Sequence, residues 1–304
     1  MSGGGGGGQS LSRRDLTDLQ PSQREALEKE RLESDVNNLL NEQLAEINDR
    51  DTEKVEHYLD AIEEALRDQI DDVDRRLFGG SVAKHTYVDG ISDIDSLVIL
   101  RGFGDRDPSD VRNAFAEALR QRLPEGEVAD ISVGNLAVTV VYRDGTQIQL
   151  LPAVQHGNRL AISSPDGRSW TQIHPRSFAR ELTEVNQKQA GQVVPTVKLA
   201  KAIIAGLPET ERLSGYHVEA LAVAAFRGYD GTRTPKAMLT HFFETAVQNV
   251  RTPIHDLTGQ SRHLDEALGA GGSADRQRIS DSLNRIAQTM QSGRSVDSWR
   301  GLLE

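Results

Sequence analysis

The 304-residue chain has no cysteine. That excludes disulfides, thiolate catalysis and cysteine-ligated zinc. It also lacks any apolar run near the roughly 20 residues a membrane-spanning helix needs, and its mean hydropathy is −0.49. Met1 to Ser12 is mostly glycine and serine with no apolar centre, so it does not read as a signal peptide. A cytoplasmic protein without a membrane partner is the expectation. Positive charge is scarce too: 35 Lys and Arg stand against 46 Asp and Glu, for a net charge of −11. That balance argues against stable binding to duplex nucleic acid, where a basic footprint dominates affinity. It leaves room for a small anionic ligand held with a divalent cation, because the ion offsets the repulsion locally.

What is present divides the chain. Residues 1–20 are Gly/Ser-rich and then polar, and read as a disordered tail. From Ser22 a charged helix is predicted, with Leu27, Leu32, Val36, Leu39, Leu40, Leu44 and Ile47 as its apolar stripe. Asp51-Thr52 restarts a helix whose apolar face runs Val55, Leu59, Ile62, Leu66, Ile70, Val73 and Leu77, which carries the helix straight into Gly79. Ile94 to Leu100 predicts a buried strand, and Asp107-Pro108 opens a further helix. Leu136–Tyr142 and Gln147–Leu151 flank Arg143-Asp144-Gly145, a hairpin signal, and Pro152 is expected to end the second strand. From about residue 174 the pattern is helical. The predicted architecture is therefore α+β. It comprises the tail 1–20, a catalytic core with N-terminal helices over 21–160, and a helical domain over 161–304 that closes a cleft.

The chemistry concentrates in Phe78-Gly79-Gly80-Ser81 and Ser92-Asp93-Ile94-Asp95. On a strand, Asp93 and Asp95 fall on one face. Two adjacent carboxylates repel unless a cation lies between them, and Mg²⁺ takes hard oxygen ligands while bridging to phosphates. The glycines allow backbone N–H groups to approach a phosphate, and the Ser81 hydroxyl adds a donor. Read separately, Gly79-Gly80 is a helix C-cap and the acids are a solvated turn. The combination is more specific than either part.

Gly79-Gly80-Ser81, Thr86 and Ser92-Asp93-Ile94-Asp95 together resemble the active-site signature of polymerase-β-type nucleotidyltransferases. More closely, the chain resembles the bacterial cGAS/DncV-like nucleotidyltransferases, the oligonucleotide cyclases of anti-phage CBASS systems. Gln149-Leu150-Leu151-Pro152-Ala153, Ser214 to Glu219 and Asp256 to Ser261 also resemble motifs of that family, so the likeness spans about residues 55–290. The resemblance implies a polymerase-β-like mixed sheet with a C-terminal helical domain. It implies Mg²⁺ or Mn²⁺ at Asp93 and Asp95, ATP or other NTPs as substrates, and a cyclic di- or trinucleotide product. It further implies a separate effector activated by that product, and regulatory CBASS proteins as partners. Gly79, Gly80 and Ser81 would hold the triphosphate, with Lys201 and Ser214 contacting it from the helical half. Lys84 and Lys198 are further cationic candidates, and Tyr216 is a candidate stacking platform for a base.

One position departs from the family pattern. A third carboxylate belongs on the strand that ends in Leu-Pro-Ala, and the matching residue here is Gln149. An amide oxygen can coordinate but brings no charge. Three readings stay open at this stage: Asp130 approaches instead, the site binds one metal more weakly, or the chain is catalytically impaired. Two other functions are therefore carried alongside cyclisation. One is a silent nucleotide-binding module. The other is transfer of nucleotides to RNA or to a protein side chain.

Overall fold

The computed structural model describes residues 21–49, 52–70, 73–78, 94–101, 106–156, 159–164, 166–255, 265 and 268–304. Helix α1 (Pro21–Asn48) buries Val36, Leu40 and Leu44, spaced by four residues on one face. Helix α2 (Thr52–Gln69) buries Leu59, Ile62 and Leu66. The sequence pattern carries this helix on to Leu77, but the chain instead turns into strand β1 (Val73–Phe78). The reason lies in the next strand, β2 (Ile94–Arg101), whose edge β1 covers in antiparallel register, with Leu77 opposite Leu97 and Phe78 opposite Ser96. A four-residue step between Val73 and Leu77 satisfies both helical and strand periodicity, and pairing the backbone of β2 decides between them.

Helix α3 (Pro108–Arg122) begins as its sequence predicts. Pro108 sits in the first turn, and the Asp107 carboxylate caps it by accepting the Ser109 N–H at 2.8 Å. Strands β3 (Val128–Val133), β4 (Val138–Tyr142) and β5 (Gln147–His156) follow. The β4–β5 turn places Gly145 at φ +92°, a conformation glycine adopts without steric cost. Tyr58 of α2 stacks on Tyr142 with ring centroids 3.6 Å apart, and its hydroxyl donates to Asp144. The second helix thereby pins the hairpin turn.

Pro152 does not end β5. The strand continues to His156, with Pro152 opposite Val98 of β2. On its other edge β5 changes partner at this point. It pairs with β4 through Leu150 and with β6 (Arg159–Ser163) from Ala153 onward. A residue without an N–H is tolerated where no ladder bond is called for. Strand β7 (Trp170–Ile173) pairs with β6. The sheet order is β1-β2-β5-β4-β3, with β6 and β7 continuing from β5; β2 and β5 run parallel and the other pairs antiparallel.

The helical half comprises α4 (Pro175–Lys188), α5 (Val193–Ala205), a 3₁₀ turn (Glu209–Glu211), α6 (Gly215–Phe226), α7 (Pro235–Asn249), α8 (Ala274–Ser292) and α9 (Val296–Arg300). One apolar core joins these helices and also takes in Val36, Leu40 and Leu44 of α1. A second core lies between the sheet and the helices α2 and α3. The expected boundary at 160 thus falls inside the sheet, which runs to Ile173, and α1 packs with the helical core. A buried ionic staple closes the helical half. Arg276, fully buried, bonds the Asp265 carboxylate and the carbonyl oxygens of Val250, Thr252, Asp265 and Gly269. Burial alone would raise the Asp265 pKa. The hydrogen bonds from Arg276 and the Ile254 N–H, with the guanidinium charge, bring it below the usual carboxylate range. Among the described residues no helix is long and apolar enough to cross a membrane.

Candidate active site

The sheet supplies the first cluster. In the parallel β2–β5 ladder Asp95 lies opposite Gln149. Gln149 lies opposite Thr139 of β4, and Thr139 opposite Ser132 of β3. Positions 95, 149, 139 and 132 therefore form one transverse row. That row falls on the face of the sheet turned away from α2 and α3, the face whose neighbouring positions are Leu97, Ile99 and Ala153. Asp95 thus takes its place from strand register, and a one-residue slip would send it to the opposite face. Strand β1 ends at Phe78, opposite Ser96 and one residue from Asp95. Gly79, Gly80, Ser81, Lys84, Thr86 and Asp93 follow in the chain, and all of them lie outside the described residues.

The register also resolves one alternative for the third ligand. Asp130 pairs with Val141 on β3, so it shares a face with Gln149. It stands three strands from β2, and at about 4.8 Å per strand that is roughly 14 Å from Asp95, too far to share an ion. Gln149 itself occupies the place beside Asp95. Among the described residues no group of three or more His, Asp or Glu forms a metal cluster. The donors that fit Mg²⁺ or Mn²⁺ are the carboxylate at position 95, the amide oxygen at 149 and, outside the described residues, Asp93. All three are hard oxygen ligands, as those ions require, with one negative charge fewer than three carboxylates would bring. Thr139 and Ser132 were missed in the sequence reading, although counting outward from the Asp144-Gly145 turn sets Thr139 opposite Gln149.

The helical half supplies a second cluster around the start of α6. Ser214 is the N-cap: exposed, with its Oγ accepting the His217 N–H at 3.3 Å and lying 2.7 Å from His217 Nδ1. Lys201 of α5 reaches the same helix from behind. It is 3% exposed, its ammonium 2.8 Å from the Glu219 carboxylate, itself 1% exposed. A Cβ at Gly215 would come within 3.2 Å of that ammonium, so the glycine makes the seat for Lys201. Lys198 diverges from Lys201 and donates to Asn48 at the end of α1. Tyr216 is half-buried and meets Phe178 edge-on, ring centroids 4.7 Å apart, as part of the helical packing. Glu219 and His217 were not singled out as site residues from sequence. The Lys201–Glu219 pair joins two helices through residues 18 positions apart, a contact with no local sequence signature. Asp256 to Ser261, the last of the stretches that resemble family motifs, lies outside the described residues.

Burial sets the charge state of His217. Its Nε2 is closed off from solvent and has no hydrogen-bond partner among the described residues. Burial lowers its pKa from 6.5 to about 4; the nearby Asp265 carboxylate opposes that shift and the Arg276 guanidinium reinforces it. Because the folded value lies below the unfolded one, the stabilisation is complete above pH 6.5 and is lost as pH falls towards 4. Denaturant titrations of wild type and His217→Asn from pH 7.5 to 4 should diverge in that window. The wild type is expected to lose up to about 3 kcal/mol more than the variant.

Among the described residues the fold is a seven-stranded mixed sheet joined to a helical half, with Asp95 opposite Gln149 in its one parallel ladder. The family model for the Second Messenger Oligonucleotide or Dinucleotide Synthetase domain matches residues 31–186, about half of the chain. The chain belongs to that family and is a nucleotidyltransferase of the cGAS/DncV-like class. Among curated proteins no sequence matches. The fold is that of E. coli MS115-1 CdnC, solved with ATP: TM-score 0.63 at 16% identity, covering 86% of this chain and 92% of that one. CdnC in a complex with HORMA-deltaN gives TM-score 0.61 at 17% identity, covering 86% and 90%. Vibrio cholerae DncV, a cyclic AMP-GMP synthase and prokaryotic cGAS homolog, gives 0.58 at 11% identity, covering 93% and 86%. These likenesses describe the polymerase-β-like fold.

Proposed function

We propose that the chain joins NTPs, ATP among them, into a cyclic di- or trinucleotide second messenger in anti-phage defence. The observation that carries this reading is Asp95 on β2 in register beside β5, one residue from the level at which β1 runs out towards Gly79-Gly80-Ser81. Family membership supports second-messenger synthesis. The ATP-bound CdnC supports nucleotide substrates, and the complex of CdnC with HORMA-deltaN supports regulatory partners.

In this reading Asp93, Asp95 and the Gln149 amide oxygen hold Mg²⁺ or Mn²⁺, which supplies neutralising charge for the triphosphate. Gly79, Gly80 and Ser81 bind the phosphate tail through backbone and hydroxyl donors. Ser214, exposed at the start of α6, binds it from the helical half, where the first-turn amides have no intrahelical acceptor. Lys201 acts from behind Gly215 while its charge is balanced by Glu219. Positioning of the attacking hydroxyl and charge stabilisation then do most of the catalysis. The half-buried Tyr216 ring contributes packing, and Lys198 and Lys84 are secondary contacts.

Mass spectrometry of products from all four NTPs with Mg²⁺ or Mn²⁺ tests the proposal. A small phosphatase-resistant product that activates a separate effector is expected. Label retained on RNA or protein would instead establish transfer to a macromolecule. Gln149 favours one rival, a silent nucleotide-binding module. Gln149→Asp addresses it: we expect pyrophosphate release to rise about tenfold to a hundredfold, the scale of one added unit charge near a cation. The concentration of Mg²⁺ at half-maximal rate should fall in parallel. Activity near zero before the change would establish the silent module, and equal activity in both chains would remove residue 149 from the ligand set.

A further inference from the structure

We infer that His217 is a positioning residue that fixes the direction in which Ser214 offers its hydroxyl proton, and with it the affinity of the α6 start for a nucleotide's phosphate. The inference rests on the proposed role of Ser214 and goes beyond it. Two atoms of His217 meet one oxygen: the backbone N–H at 3.3 Å and Nδ1 at 2.7 Å from Ser214 Oγ. The other ring nitrogen, Nε2, is enclosed and unpartnered among the described residues.

The neutral ring carries one proton, and the surroundings discriminate between its two positions. A proton on Nε2 would bury an N–H with no acceptor, and it would draw the Ser214 hydroxyl proton inward to Nδ1. A proton on Nδ1 leaves only a bare lone pair in the enclosed position. Buried donors without partners are the rarer defect in folded proteins. In the Nδ1–H form Ser214 Oγ accepts from both His217 groups, which uses its two lone pairs. Its own proton is then left to the exposed side, where it is offered as a donor to an anion. A serine hydroxyl is otherwise a free rotor that loses orientational freedom on each binding event. The histidine makes that choice in advance.

The test uses the full-length chain. His217→Phe keeps the ring and removes the donor; His217→Asn restores an N–H near the Nδ1 position. ATP and GTP affinities are measured by calorimetry with Mg²⁺, beside melting temperature and product formation. His217→Phe should weaken nucleotide binding about tenfold, the scale of one hydrogen bond to a charged group. His217→Asn should bind within about twofold of wild type, the cost left when the donated bond is kept. On a Ser214→Ala background, His217→Phe should add nothing. Nitrogen-15 NMR of the imidazole should find the proton on Nδ1. A proton on Nε2 overturns the inference, as does an affinity loss in His217→Phe that persists without the Ser214 hydroxyl. Should His217→Phe fail to fold, His217→Asn and the NMR measurement still decide. If the wild type binds nucleotide in this manner yet forms no cyclic product, the proposed activity fails and the inference survives. If cyclic product forms while Ser214→Ala binds as wild type does, the inference fails alone.

Discussion

Asp95→Asn is expected to reduce pyrophosphate release from NTPs by about 10³-fold or more, the scale on which removing one charge-stabilising group slows an enzyme. The substitution is isosteric and removes only the charge. Its size follows from how few acids the site has. Among the described residues Gln149 lies opposite Asp95 and Asp130 stands three strands away, so in the proposed site Asp93 is the other carboxylate that would carry negative charge to an ion. A site with a third carboxylate could buffer the loss, and the strand position opposite Asp95 holds an amide instead. The melting temperature should move little while turnover disappears, and Gln149→Asp should not rescue the variant to wild-type rate. Retained turnover in Asp95→Asn would remove the acidic strand from the chemistry and, with it, the proposed function.

Arg276→Met is expected to destabilise the protein by about 3–5 kcal/mol, the usual effect of breaking a buried ion pair from one side. The guanidinium serves five acceptors at once, so its loss leaves the Asp265 carboxylate and several carbonyl oxygens buried without their donor. The cost arises from the orphaned groups more than from the lost attraction. The double variant Asp265→Leu/Arg276→Met should therefore be more stable than Arg276→Met alone. Urea denaturation of the four chains of this cycle measures the coupling. Additive losses would mean that the two residues do not act as a unit.

Much of this arrangement could be read from local signals. The Asp107 cap with Pro108, the Asp144-Gly145 hairpin and the apolar run from Ile94 are each set by neighbours within a few residues, and each forms as expected. The departures come from partners distant in sequence. Val73 to Phe78 becomes a strand because β2 presents an edge to cover. Pro152 sits inside a strand because β5 changes partner there. In the site, the identity of Asp95 and Gln149 was legible, but their pairing depends on a parallel ladder between segments 54 positions apart. Lys201 was expected, from the family resemblance, to contact a triphosphate from the helical half. Its enclosure with Glu219 depends on how two helices pack, which no spacing announces.

The placement of α1 has a consequence for how the protein is born. Its Val36, Leu40 and Leu44 complete a core otherwise drawn from Phe178 onward, and its Asn37 accepts the Lys236 amide at 2.9 Å. On the ribosome this helix emerges some 200 residues before that companion. At 5–20 residues per second the interval is roughly 10–40 s, during which an oily ridge has nothing to lie against. The sheet can close around its own core in that time, because α2, α3 and its strands all precede the helical half. The nascent chain should thus pass through a stage with a finished catalytic platform and an unclaimed α1, open to chaperone capture until the residues from Phe178 onward arrive.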